Sequence, residues 1–124
     1  MQPEEGRALR VAQAASGTRE MTYIGFRNTP SQSKIYAQLN AVGDYQVRKE
    51  GDNLLVLELK NTTIPLRNNK NHLDTTFFDS PIKMITPTEI EDASPTVRIV
   101  IELKDAAAFT EAVEGREVVL TFKK

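Results

Sequence analysis

One histidine, no cysteine and six scattered glycines restrict the chemistry open to this chain. A catalytic zinc needs about three nitrogen, sulfur or carboxylate ligands held close together, and His72 is the only histidine on offer. In an asparagine-rich stretch it reads as a solvated side chain rather than as a ligand or an acid–base group. The familiar nucleophile–base pairs reduce to that histidine and a stray serine, so no triad is indicated. Asp44, Glu50, Asp52, Asp105 and Glu114 fall at predicted turns, where short polar side chains and solvated charge are expected in any case. No glycine-rich phosphate loop occurs. The chain reads as noncatalytic, with no metal and no cofactor.

Binding chemistry is better represented. Guanidinium groups suit carboxylates, amides suit hydroxyl and acetamido groups, and flat phenol rings suit sugar faces, so the pattern fits a polar, carboxylate-bearing polymer. The candidate ligand-binding residues are Tyr36, Gln38, Arg48, Arg67, Asn69 and Arg98, and Tyr23, Arg27, Asn68 and Asn71 share their character. Taken singly, each is also what a wet strand face or loop exposes.

The elements that must position them are short strands. Met21–Asn28 is rich in aromatic and β-branched residues and ends at Thr29-Pro30. Ile35, Ala37 and Leu39 alternate with Lys34, Tyr36, Gln38 and Asn40, so one face meets a core and the other meets water. Tyr45–Arg48 and Leu54–Lys60 flank a Gly-Asp-Asn turn and predict a hairpin. Asn61–Pro81 is irregular, with a short helix expected around Leu73–Phe78. Ile82–Ile90 is extended again, and Pro87 predicts a bend or an edge. Val97, Ile99, Ile101 and Leu103 make the strongest inward stripe and predict a central strand. Phe109–Val113 and Arg116–Phe122 close the chain as a hairpin about Glu114-Gly115.

The fold class expected is therefore all-β, a sandwich of two antiparallel sheets with about seven or eight short strands and at most one short helix. Residues 1–20 are expected to be a flexible linker or expression leader, and residues 21–124 the domain. A length of 124 residues leaves room for one core. Sixteen Lys and Arg against seventeen Asp and Glu give a net charge of -1, which offers nucleic acid or anionic lipid no general attraction. Apolar runs such as Leu54–Leu57 fall far short of the roughly 20 residues of a membrane helix, so a soluble domain without membrane insertion is expected. Met1–Ser16 lacks the basic start and apolar stretch of a signal peptide. The abrupt stop at Phe122-Lys123-Lys124 suggests a piece of a longer protein, with Met1 added for expression.

The order of these strands carries a family resemblance. Ser33–Leu39, Tyr45–Val47, Asn53–Asn61, Pro81-Ile82 and Val97–Leu103 together resemble the AMIN domain of bacterial envelope proteins, from about residue 21 to 124. The resemblance implies a β-sandwich that associates with peptidoglycan and localises its parent in the periplasm. Known parents are type IV pilus secretins of the outer membrane and N-acetylmuramoyl-L-alanine amidases. The Ala- and Gln-bearing leader favours a secretin, whose neighbouring subunits or pilus components then become further partners. No ligand motif carries over from the family, so the candidate residues rest on their own chemistry. The alternative expectation is a protein–protein docking module of the same machinery, working through an unpaired sheet edge, or the targeting domain of an amidase.

Overall fold

The computed structural model describes residues 18–91 and 93–124. The expected leader lies outside the described residues up to residue 17, whereas Arg19 and Glu20 already belong to the first strand. In chain order the strands are β1 (Arg19–Asn28), β2 (Gln32–Leu39), β3 (Tyr45–Gly51), β4 (Leu54–Lys60), β5 (Thr62–Thr63), β6 (Leu73–Asp74), β7 (Ile82–Ile90), β8 (Thr96–Leu103), β9 (Phe109–Glu114) and β10 (Glu117–Lys123). Among the described residues one 3-10 turn, Arg67–Lys70, lies between β5 and β6.

Two five-stranded sheets face each other. The first has the order β5-β1-β2-β10-β9 and the second β3-β4-β8-β7-β6. Every pairing is antiparallel except the short parallel contact of β1 with β5 at Arg19 and Glu20. The strand count is thus ten rather than the expected seven or eight. The eight longer strands correspond to the extended runs read from the sequence. The other two, β5 and β6, have two residues each, too few to leave a period-two signal.

The alternation explains the core. Ile35, Ala37 and Leu39 of β2, with Val118, Leu120 and Phe122 of β10, turn inward from the first sheet. Leu55, Leu57 and Leu59 of β4 and Val97, Ile99 and Ile101 of β8 turn inward from the second. Each of these side chains larger than Ala37 contributes about 1.5–3 kcal/mol through burial. β8 is the middle strand of its sheet, as its stripe predicts. β6 pairs only with Ile85 and Met84 of β7, so the strand is an edge beside Pro87, in keeping with a residue that has no N–H to donate.

The expected helix at Leu73–Phe78 does not form. Thr75 instead hydrogen-bonds towards β7, through its N–H to the Lys83 carbonyl (3.0 Å) and its hydroxyl to the Ile82 carbonyl (2.6 Å). Leu73 and Asp74 pair with β7 as β6, and what remains is one isolated turn closed by the Phe78 N–H on the Thr75 carbonyl (3.1 Å). The Ser33 and Ser80 hydroxyls hydrogen-bond to each other (2.9 Å) and thereby tie β2 to the end of this irregular stretch.

Candidate functional site

The outer face of the first sheet is built around a missing side chain. Antiparallel register sets Gly25 of β1 directly opposite Tyr36 of β2, with Tyr23 opposite Gln38 and Arg27 opposite Lys34. Directly opposed residues share a face, so these six point outward together. With no Cβ at Gly25, the Tyr36 ring lies across its backbone; a Cβ there would collide with the Tyr36 and Tyr23 rings. The two tyrosine rings stand 5.9 Å apart at 40°. The Arg27 guanidinium carbon lies 5.6 Å from the centre of the Tyr36 ring, in reach of a cation–π attraction.

On the other side of β2 lies β10, whose Glu117 pairs with Gln38. Gln38 Nε2 donates to Glu117 Oε2 at 2.8 Å, which orients the amide. Tyr23, Arg27, Lys34, Tyr36, Gln38 and Glu117 surround a shallow hollow of about 160 Å³. It combines aromatic faces, two cations and a fixed amide–carboxylate pair. Such a surface can hold a sugar ring against the phenols, a carboxylate against Arg27 or Lys34, and hydroxyl or acetamido groups against Gln38 and Glu117.

The six sequence candidates are divided among three places. Tyr36 and Gln38 lie in this hollow. Arg48 of β3 and Arg98 of β8 lie on the outer face of the second sheet, brought together by Glu58 of β4 between them. Arg48 Nη1 is 2.9 Å from Glu58 Oε1, Arg98 Nη2 is 2.9 Å from Oε2, and Lys60 Nζ adds a contact at 3.3 Å. Glu50 ion-pairs with Arg48 as well. The Glu58 side chain is only 6% exposed, while those of Arg48 and Arg98 keep 36% and 43%. Hydrogen bonding from Arg48 above all, reinforced by Arg98 and Lys60, overcomes the cost of burial and lowers the Glu58 carboxyl to about 2.

Arg67 and Asn69 occupy the 3-10 turn and have opposite fates. Arg67 is exposed. Asn69 is buried, and its Nδ2 donates to the Thr22 carbonyl at 2.8 Å, satisfying the edge of β1 where β5 has ended. Sequence reasoning missed Lys34, Glu58 and Glu117. Lys34 was legible in the alternation of β2, and Glu58 in the outward phase of Leu55, Leu57 and Leu59. Glu117 joins only through the β10–β2 pairing, which no local pattern announces.

His72 is exposed at a groove beside β1, and no group of three or more metal-binding side chains gathers among the described residues. No helix among them is long and apolar enough to cross a membrane.

The family model described as AMIN domain matches residues 24–122, from the first buried isoleucine of β1 to the last phenylalanine of β10. No curated protein matches the chain. AMIN domains are generally noncatalytic modules that bind or target peptidoglycan in periplasmic cell-envelope proteins.

Proposed function

We propose that this chain, which belongs to the AMIN domain family, anchors a larger envelope assembly to peptidoglycan through the outer face of its first sheet. The observation that carries this reading is the Tyr23–Tyr36 pair with Arg27 against it, beside the Gln38–Glu117 bond. The glycan strand presents sugar faces, acetamido groups and stem-peptide carboxylates, and this one surface has a counterpart for each. Weak contacts suffice, because a wall polymer repeats its ligand and an oligomeric parent repeats the domain.

The parent we favour is a type IV pilus secretin, with the domain in the periplasm and its channel in the outer membrane. The Ala- and Gln-bearing stretch before β1 supports that choice over a cell-wall amidase. The sequence flanking this domain in its parent, a secretin barrel or a zinc amidase domain, decides between them.

The test is co-sedimentation of the purified chain with insoluble sacculi at two salt concentrations. Arg27→Ala and Tyr36→Ala are each expected to weaken binding about fivefold while leaving the fold intact, with the Arg27 effect shrinking at high salt. Arg48 and Arg98 keep enough exposed guanidinium for a carboxylate-facing contact on the opposite face. Weakened binding by Arg48→Ala, with Arg27→Ala and Tyr36→Ala unchanged, would move the contact there. No sedimentation at all, even with several linked copies of the chain, would overturn wall binding.

A further inference from the structure

Two sheets leave four edges, and three of them carry features that hinder pairing with another strand. β6 is two residues long, and Pro87 follows on β7. β3 carries Arg48 and Lys49 and breaks register between Lys49 and Gly51. The edge of β1 is met by β5 at Arg19 and Glu20 and by Asn69 at Thr22. Of these features β9 has only charge, on Glu111 and Glu114. Its six residues pair regularly with β10, contain no proline, lysine or bulge, and are exposed except for half-buried Phe109. Protected edges are the rule in natural sheets, so a bare one calls for an occupant.

The hairpin geometry shows what that edge offers. Gly115 and Arg116 form a two-residue turn, with Gly115 at φ 61°, so the flanking Glu114 and Glu117 are a hydrogen-bonded pair. Alternation then turns the backbone groups of Thr110, Ala112 and Glu114 towards β10 and those of Phe109, Glu111 and Val113 outward. Among the described residues no strand meets them on that side. Phe109, Glu111 and Val113 also share one side-chain row, because they oppose Phe122, Leu120 and Val118. Val113 is 46% exposed. Tyr45 of β3 lies near Glu111, whose carboxylate adds to burial in raising the Tyr45 phenol above its ordinary value.

Charge selects the occupant. β9 carries Glu111 and Glu114 and no cation, with Glu117 across the hairpin; the cations of the hairpin itself are Arg116 in the turn and Lys123 at the far end of β10. A second copy of the chain would set four glutamates on two neighbouring strands. We infer that β9 is a strand-addition site for an extended basic segment of a partner protein, with apolar residues opposite Phe109 and Val113 and a Lys or Arg opposite Glu111. In antiparallel register the segment reads basic, apolar, any, basic, any, apolar, with its first basic residue opposite Glu114.

The probe is a synthetic peptide of sequence KVTRTV, added to the isotope-labelled chain and followed by amide chemical shifts, with EVTETV as the acidic control. The expected result is shifts centred on Phe109, Glu111 and Val113. Affinity for the basic peptide should exceed that for the acidic one about tenfold, as two cross-strand pairs change from attraction to repulsion. Val113→Pro removes an outward N–H without touching the β10 ladder, and should abolish the shifts while sedimentation with sacculi is unchanged. Glu111→Lys with Glu114→Lys should reverse the preference between the peptides, which keeps the test decisive if the proline variant fails to fold. Shifts elsewhere, equal affinity for both peptides, or self-association through β9 that the basic peptide does not displace would each overturn the inference.

Discussion

Replacing Glu58 by Gln tests the charge cluster of the second sheet. Glu58 has a carboxyl lowered from 4.5 to about 2, chiefly by hydrogen bonding from Arg48. Each tenfold change in proton affinity corresponds to about 1.4 kcal/mol, so an unscreened effect would be about 3 kcal/mol. Arg48 and Arg98 are each more than a third exposed, and water screens their charge, which brings the expected contribution to about 1–2 kcal/mol. The sign follows from linkage. A depressed folded-state value means that the stabilisation is whole well above 4.5 and disappears as pH falls towards 2. By about pH 3 more than half of it should be gone. Urea denaturation of the wild type and of Glu58→Gln, followed by tyrosine fluorescence, measures the difference directly, since there is no tryptophan to dominate the signal. The two proteins should differ by about 1–2 kcal/mol at pH 7 and converge as the pH drops. A difference that stays constant from pH 7 to pH 3, or that is absent at pH 7, refutes the account.

Further substitutions separate binding from folding. Gly25→Ala should displace the Tyr36 ring, whose far end occupies the space a Cβ needs; sedimentation with sacculi should weaken several-fold while the melting temperature falls by only about 4–8 °C, the shift expected for about 1 kcal/mol in a small domain. Asn69→Ala leaves the Thr22 carbonyl without its side-chain donor and should cost about 1–3 kcal/mol in urea denaturation, whereas Asn68→Ala, exposed one residue earlier, should cost under about 0.5 kcal/mol.

These examples also show which parts of the molecule local sequence can reveal. β2 and β8 were legible because Ile35, Ala37 and Leu39, and Val97, Ile99 and Ile101, alternate without interruption, and a period of two has one structural meaning. The pairing of β10 with β2 was not legible, because Gln38 and Glu117 are 79 positions apart and nothing near either one names the other. For the same reason Arg48 and Arg98 look like independent surface cations until Glu58 is seen between them. Asn69 misleads in the opposite direction. A polar residue in an asparagine-rich stretch reads as solvated, yet the end of β5 leaves a carbonyl on β1 that an amide must satisfy. The candidate surface was therefore half visible: Tyr36 and Gln38 by their alternation, and their neighbours only through register.

The order of the first sheet has a mechanical consequence. β1 and β10 both run antiparallel to β2, which lies between them, so they run parallel to each other. β1 begins beside the Leu39 end of β2, and β10 finishes beside its Gln32 end. Tension applied through Arg19 and Lys123 therefore acts along the strands and loads both ladders in shear, so that many hydrogen bonds must fail together rather than one after another. If the domain anchors its parent to the wall as proposed, that arrangement suits it to bearing load. Single-molecule stretching from these two ends should require higher force than stretching the β9–β10 hairpin apart from Phe109 and Phe122, where the bonds open singly.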